Sequence, residues 1–217
     1  MSTKSVDKVR ISKDFSRILR HTANDYPSLS MRADGFVSLE ALLKLQNFAR
    51  NHIDVPFVRR MVEEDCKTRF SLLDEDGKLY IRANQGHSDA VAKSITADEL
   101  LVPIKYAAEI PIAIHGTSEN AWKSIQSSGL HRMRRSHIHF SPGVVGVDAE
   151  VRSGMRPSSA VHVYLDTARA MAAGIRFYRS SNNVILSDGI DGVIAPQFFS
   201  KVVNAKTNSL LYSPNPS

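Results

Sequence analysis

The chain has 217 residues, 42% hydrophobic and 23% charged, which excludes a fibrous or wholly disordered protein and allows either one large domain or two small lobes. A formal net charge of +6 and an isoelectric point near 9.5 favour a polyanionic partner, because lysine and arginine placed near phosphates release counterions. A lone cysteine, Cys66, excludes an intramolecular disulfide and a thiolate metal cluster, and with neither an apolar leader nor a membrane-length apolar run, a soluble protein of the cytoplasm or nucleus is expected.

The first element in chain order is an amphipathic helix over Ile11 to His21. Ile11, Phe15, Ile18 and Leu19 share one face, and Arg20 and His21 stand at its C-terminal end. After a turn at Asp34-Gly35, residues Val37, Leu39, Leu42, Leu43 and Leu45 predict a short helix that Ser38 can cap. A third helix is expected from Asp54 through Val58, Met61 and Val62. Two alternating runs between Arg69 and Arg82, joined at Asp76-Gly77, predict a hairpin. Three helices and a hairpin make a winged-helix pattern. Residues 89 to 109 have no strong period and read as a connection.

The second half turns to short β-type runs: Ile110 to Ile114, His137 to Ser141, Ala160 to Leu165, Val184 to Leu186 and Gly192 to Ala195. Helices are expected over Glu119 to Ser127 and Thr167 to Ala173. Strands and helices do not alternate strictly, which predicts an α+β chain rather than a doubly wound sheet. The expected division is 1–100 and 101–217.

Three stretches have residue types suited to chemistry. Arg132, Arg134 and Arg135 run into a strand on which His137 and His139 face one side, and guanidinium forks match phosphate oxygens while staying charged. Such a stretch is equally a solvated basic loop before an edge strand. Leu19-Arg20-His21 and Arg69 form the second set, each consistent singly with packing against a helix dipole. The third is His115-Gly116-Thr117 at a strand end, before a helix that Ser118 can cap; a small residue there admits a ligand to the backbone, and a helix N-terminus attracts phosphate. No GxGxxG follows a strand, and HExxH, paired CxxC, a Walker loop and GxSxG are all missing from the sequence. His87, His131 and His162 lack metal-ligand spacing.

Taken in order, the pieces Leu19-Arg20-His21, Asp34 to Val37, Arg69-Phe70, Ile81 to Ser88, His115-Gly116-Thr117, Arg135 to His139, Ser153 to Arg156 and Phe177 to Leu186 resemble the tRNA splicing 2′-phosphotransferases of eukaryotes and their bacterial and archaeal relatives. The similarity runs from about Ile11 to Phe199. The resemblance implies an N-terminal winged-helix RNA-binding lobe and a C-terminal ADP-ribosyltransferase-like mixed α/β lobe that binds NAD⁺. It places an Arg-His-Arg-Arg quartet on Arg20, His21, Arg69 and Arg135; among the three crowded arginines, Arg135 is chosen because it lies two residues before His137. It also implies an NAD⁺ pocket lined by His115, Gly116 and Thr117, with Ser141, Gly143, Arg156 and Asn183 as further contacts.

The reaction so implied has two steps. An internal RNA 2′-phosphate attacks the anomeric carbon of the nicotinamide ribose and expels nicotinamide, leaving an ADP-ribosylated RNA 2′-phosphate. The ribose 2″-hydroxyl then attacks phosphorus, releasing 2′-OH RNA and ADP-ribose 1″,2″-cyclic phosphate. Permanently charged arginines suit both steps, and His21 can donate to a phosphate oxygen or move a proton. No metal is implied, since arginines supply the positive charge. NAD⁺ is consumed, the partner is RNA bearing an internal 2′-phosphate such as spliced tRNA, and a monomer is expected. Two other readings compete: an ADP-ribosyltransferase that stops after the first step, on nucleic-acid terminal phosphates or on protein, and a winged-helix DNA-binding protein. Against the last, Asp54, Glu63, Glu64 and Asp65 put acid on the presumed recognition helix.

Overall fold

The computed structural model describes residues 7–148, 151 and 153–214, without the side chains of Ala97 and Asp98. The chain divides into two compact units at Leu100/Leu101.

In the first unit, α1 (Lys8–Arg17) starts at Asp7, whose carboxylate accepts from the amides of Val9 and Arg10 at 3.0 and 3.1 Å. It buries Ile11 and Phe15, then widens into a π-helical turn over Ile18–Thr22 that buries Ile18 and Leu19. β1 (Val37–Ser38) follows. Ser38 caps α2 (Leu39–Leu43), its hydroxyl accepting from Ala41 N at 3.3 Å. The helix expected to hold Val37 through Leu45 is thus shorter: Val37 pairs with Ile81 in a sheet, and a separate turn of helix, α3 (Gln46–Ala49), follows. α4 (Val55–Glu63) is capped by Asp54, with Pro56 in its first turn.

β2 (Phe70–Glu75) and β3 (Lys78–Ala83) pair across Asp76 and Gly77, both at positive φ (51° and 76°), as a two-residue primed turn requires. The sheet order is β1-β3-β2. Phe15 centres the core, its ring 4.5 Å from Phe48 and 6.2 Å from Phe70. The expected connection over 89–109 is more ordered than its sequence suggests, with α5 (Asp89–Ala92), α6 (Ala97–Leu100) and β4 (Val102–Ile104). Pro103 suits an edge strand because it has no amide to donate.

The second unit contains β4, β5 (Ile114–Thr117), α7 (Glu119–Ser128), β6 (Leu130–His131), β7 (Ile138–Phe140), β8 (Val161–Leu165), α8 (Thr167–Ala172), β9 (Phe177–Arg179), β10 (Ile185–Ser187), β11 (Val193–Ile194), β12 (Phe199–Asn204) and β13 (Leu210–Tyr212). Its sheets run β4-β9-β10-β7, β13-β12-β8-β5 and β11-β6, every pair antiparallel. Mutual bonds between Ile114 and Ser141, 2.9 and 2.8 Å, tie β5 to the end of β7. The architecture is α+β. One strand is displaced from its expected position: Ile110 and Ala113 are buried without pairing, and the ladder starts at Ile114. Their apolarity reflects burial, and Pro111 has no amide for a ladder. Strands β6, β9, β12 and β13 were not expected; in β12 a register shift between Phe199 and Lys201 breaks the alternation that would reveal it. No helix among the described residues is long and apolar enough to cross a membrane.

Candidate functional site

Arg20 and His21 lie in the π turn after α1, a departure from regular α geometry that often marks functional sites. The carbonyl of Arg20 accepts from Ser88 N at 2.9 Å and Ser88 Oγ at 3.2 Å. Gly86, at φ +87°, passes beside the Arg20 guanidinium; a Cβ there would sit 3.6 Å from Nη1, so the conformation rather than lack of space requires glycine.

Arg69 stands just before β2. The largely buried Asp65 carboxylate accepts from the Arg69 amide at 2.7 Å with one oxygen and from its guanidinium with the other. Buried Asn84 completes the frame: its amide donates to Arg69 O at 2.9 Å, and its side chain joins Thr68 O and Ser71 Oγ, both at 2.7 Å. One segment, Asn84 to Ser88, therefore fixes backbone at both arginines. Neither Asn84 nor Ser88 stood out beyond the motif containing it, since a buried amide gives no periodic signal. Arg82, by contrast, is structural: it donates to Asp34 O at 2.9 Å and lies 4.6 Å from the Phe36 ring centroid.

In the second unit, His115 Nδ1 is 2.9 Å from the carbonyl of His139. A carbonyl only accepts, so Nδ1 bears the proton and Nε2 is an open acceptor. Burial holds the imidazole below its usual range; the carbonyl of His139 opposes this and the charge of Arg135 reinforces it. Arg135 is itself pushed below the ordinary arginine range, first by desolvation and then by Arg156. His115, Arg135 and Arg156 thus share one electrostatic neighbourhood.

The loop carrying Arg135 is braced by Arg132, whose Nη1 donates to Arg135 O at 2.9 Å and whose amide donates to Gly192 O at 3.0 Å. Arg135 N returns a 3.1 Å bond to Arg132 O across Met133, which takes φ +56°.

Gly116 and Thr117 lie within β5, and a Cβ on Gly116 would fall 2.8 Å from Met155 Cβ and 2.6 Å from Ser159 Oγ. Glycine here admits the neighbouring chain, where the sequence suggested ligand approach. Ser141 is fully buried, its hydroxyl donating to Ser153 O at 3.2 Å. Gly154, at φ +111°, presses against Ser141, and this contact seats the turn bearing Arg156. A Cβ on Gly143 would crowd Val151 Cγ2 at 2.9 Å, next to the Asp148 carboxylate that accepts from Val144 N at 2.6 Å. Asn183 is exposed at φ +60° and accepts from Arg179. Its buried neighbour Asn182, which the sequence did not single out, receives a 2.7 Å bond from Ser180 Oγ and reaches Ser153 Oγ at 3.5 Å. The structure therefore groups His115, Arg135 and Arg156, with Gly116 beside Met155, whereas Asn183 belongs to the turn after β9.

The profile of the family described as RNA 2′-phosphotransferase, Tpt1/KptA family, matches residues 6–189. The chain belongs to the RNA 2′-phosphotransferase family. Curated relatives carry that activity in their names. The tRNA 2′-phosphotransferase 1 of Danio rerio is 42% identical over 205 residues, 91% of this chain and 86% of the relative. The tRNA 2′-phosphotransferase of Saccharomyces cerevisiae is 37% identical over 190 residues, 84% of this chain and 79% of the relative. A Schizosaccharomyces pombe relative is 39% identical over 94% of this chain, which spans only 54% of that longer protein.

Proposed function

We propose that this chain transfers an internal RNA 2′-phosphate, as left at a tRNA splice junction, to NAD⁺, giving 2′-OH RNA, nicotinamide and ADP-ribose 1″,2″-cyclic phosphate. In this reading residues 1–100 form a winged-helix RNA-binding lobe and residues 101–217 an ADP-ribosyltransferase-like lobe for NAD⁺. Arg20, His21, Arg69 and Arg135 act on the phosphate; His115, Gly116, Thr117, Ser141, Gly143, Arg156 and Asn183 serve the NAD⁺ side, Ser141 by holding the Arg156 turn in place.

The observation that carries the reading is the grouping of Arg135 and Arg156 with a His115 whose Nδ1 is held by the carbonyl of His139 and whose Nε2 is left to accept. The burial and the neighbouring Arg156 charge that hold Arg135 below its ordinary range are offset by an anion placed against it, and an unprotonated Nε2 accepts from a sugar hydroxyl. A nucleotide bearing a pyrophosphate and ribose hydroxyls fits that donor and acceptor set. NAD⁺ supplies a ribose carbon activated by a cationic leaving group. The chain's own residues orient the reactants: the guanidinium of Arg69 is held by Asp65, and Arg135 projects from a loop whose backbone Arg132 braces, so less reorganisation is needed as charge shifts at phosphorus.

The test is incubation with a short RNA carrying one internal 2′-phosphate, with and without NAD⁺, resolving RNA and nucleotide products by chromatography. Phosphate loss only with NAD⁺, together with the cyclic phosphate, is expected. A stable ADP-ribosylated RNA would mean a transferase that stops early, and no reaction would sink the proposal.

A further inference from the structure

The first unit contains a groove that the functions assigned above leave unused. It occupies about 260 Å³ between one face of α1 and the C-terminal end of α4, and Arg69 forms part of its wall. Met61 and the exposed Val9 give it an apolar patch. Along α1 the hydroxyls of Ser12 and Ser16, one turn apart, and the ammonium of Lys13 border it.

Charge decides what the groove takes. Its two carboxylates are committed, Glu64 to Lys8 and Asp65 to Arg69. Lys13 is exposed and makes no hydrogen bond or ion pair among the described residues, so the groove's uncommitted charge is positive. Ammonium and hydroxyl donors beside an apolar patch suit a sugar-phosphate unit with a base, and the volume, below the roughly 300–1,000 Å³ of ordinary ligand pockets, suits a single strand rather than a duplex. Lys13 precedes Arg20 by seven residues, about 10 Å along a helix, a separation that a short stretch of single strand spans.

We infer that this groove is a subsite for a nucleotide flanking the 2′-phosphate, with Lys13 on its phosphodiester, Ser12 and Ser16 on its ribose and Arg69 joining it to the reacting phosphate. The inference rests on the proposed RNA 2′-phosphotransferase reading. It is sequence-tolerant, because every contact is to backbone or to the face of a base.

Cys66, exposed and on the groove wall, is the chain's one cysteine and reports occupancy without mutation. Iodoacetamide alkylation of Cys66 is followed in the intact protein with and without a saturating single-stranded RNA of about ten nucleotides bearing one internal 2′-phosphate, NAD⁺ being omitted. A severalfold slower rate is expected, and an unchanged rate at saturation overturns the subsite. Binding of the same RNA is then titrated against salt for wild type, Lys13→Glu and the exposed control Lys123→Glu. A true contact lowers the slope of log Kd against log salt by roughly 0.7 in Lys13→Glu, the loss of one single-strand phosphate contact. Equal slopes in the two variants also overturn it. Turnover with NAD⁺ is scored separately, so a protein that shields Cys66 but leaves the 2′-phosphate in place refutes the catalytic reading and retains the groove.

Discussion

The side chain of Arg132 curls back to donate to the main-chain carbonyl of Arg135 at 2.9 Å, so one arginine holds the loop from which another projects. Gly192 makes the curl possible: a Cβ on it would lie 2.8 Å from Arg132 Nε. Arg132→Ala removes a hydrogen bond from a charged donor, about 1.5–3 kcal/mol, and should lower kcat/KM for 2′-phosphorylated RNA roughly ten- to hundredfold. Gly192→Ala should do likewise, adding backbone strain at φ +83°. Steady-state kinetics check both; undiminished turnover in Arg132→Ala would remove its positioning role.

Asp65 does for Arg69 what Arg132 does for Arg135, and through charge as well as geometry. Asp65→Asn keeps the shape and loses the ion pair, and should reduce kcat/KM about tenfold, ~1.4 kcal/mol, with a small fall in melting temperature. Arg69→Lys should fail to rescue turnover, because an ammonium lacks the guanidinium's paired donors. Wild-type rates in Arg69→Lys would show that charge alone suffices there.

His115 and His162 both have folded-state values depressed chiefly by burial. Between the unfolded-state value, about 6.5, and the lower folded value, the unfolded chain binds the additional protons, so stability is complete above pH 6.5 and falls as pH drops through that window. Denaturant midpoints measured from pH 7.5 to 5 should decline, and the decline should flatten in His115→Asn and His162→Asn. Wild-type turnover should fall over the same range, as a protonated His115 would confront the charge of Arg135.

Two glycines with left-handed backbones separate local strain from crowding. A Cβ at Gly77 meets nothing within 4 Å, whereas one at Gly154 meets Ser141 Cα at 2.7 Å and Phe140 O at 2.9 Å. Gly154→Ala should cost about 1–3 kcal/mol beyond Gly77→Ala, measured by chemical denaturation, because the obstruction is main chain and cannot rotate away. Equal costs would mean that the Arg156 turn yields easily.

The sequence made the first unit easier to read than the second. Asp54 and Ser38 announce helix starts, Asp76-Gly77 announces a hairpin, and Ile11, Phe15, Ile18 and Leu19 declare a buried face, because each signal is local. In the second unit Ile110 and Ala113 are buried outside any strand, and the bulge in β12 scrambles its alternation. Arg20, His21, Arg69, His115, Arg135 and Arg156 were visible as charged or histidine positions within motifs. The supporting roles of Asp65, Asn84, Arg132 and Ser153 were not, since what defines each role is a hydrogen bond to a residue distant in sequence or a return onto its own turn.

On the proposed roles of Arg20 and His21, the π turn at Ile18–Thr22 would set stability and chemistry against each other at one point of the backbone. Deleting one residue there would let the helix continue in regular α form, the arrangement its backbone prefers, while rotating everything downstream by about 100° relative to α1. Arg20 and His21 would then leave the face they now occupy. A selection for thermal robustness alone would tend to iron this turn flat, whereas a selection for turnover would preserve the irregularity.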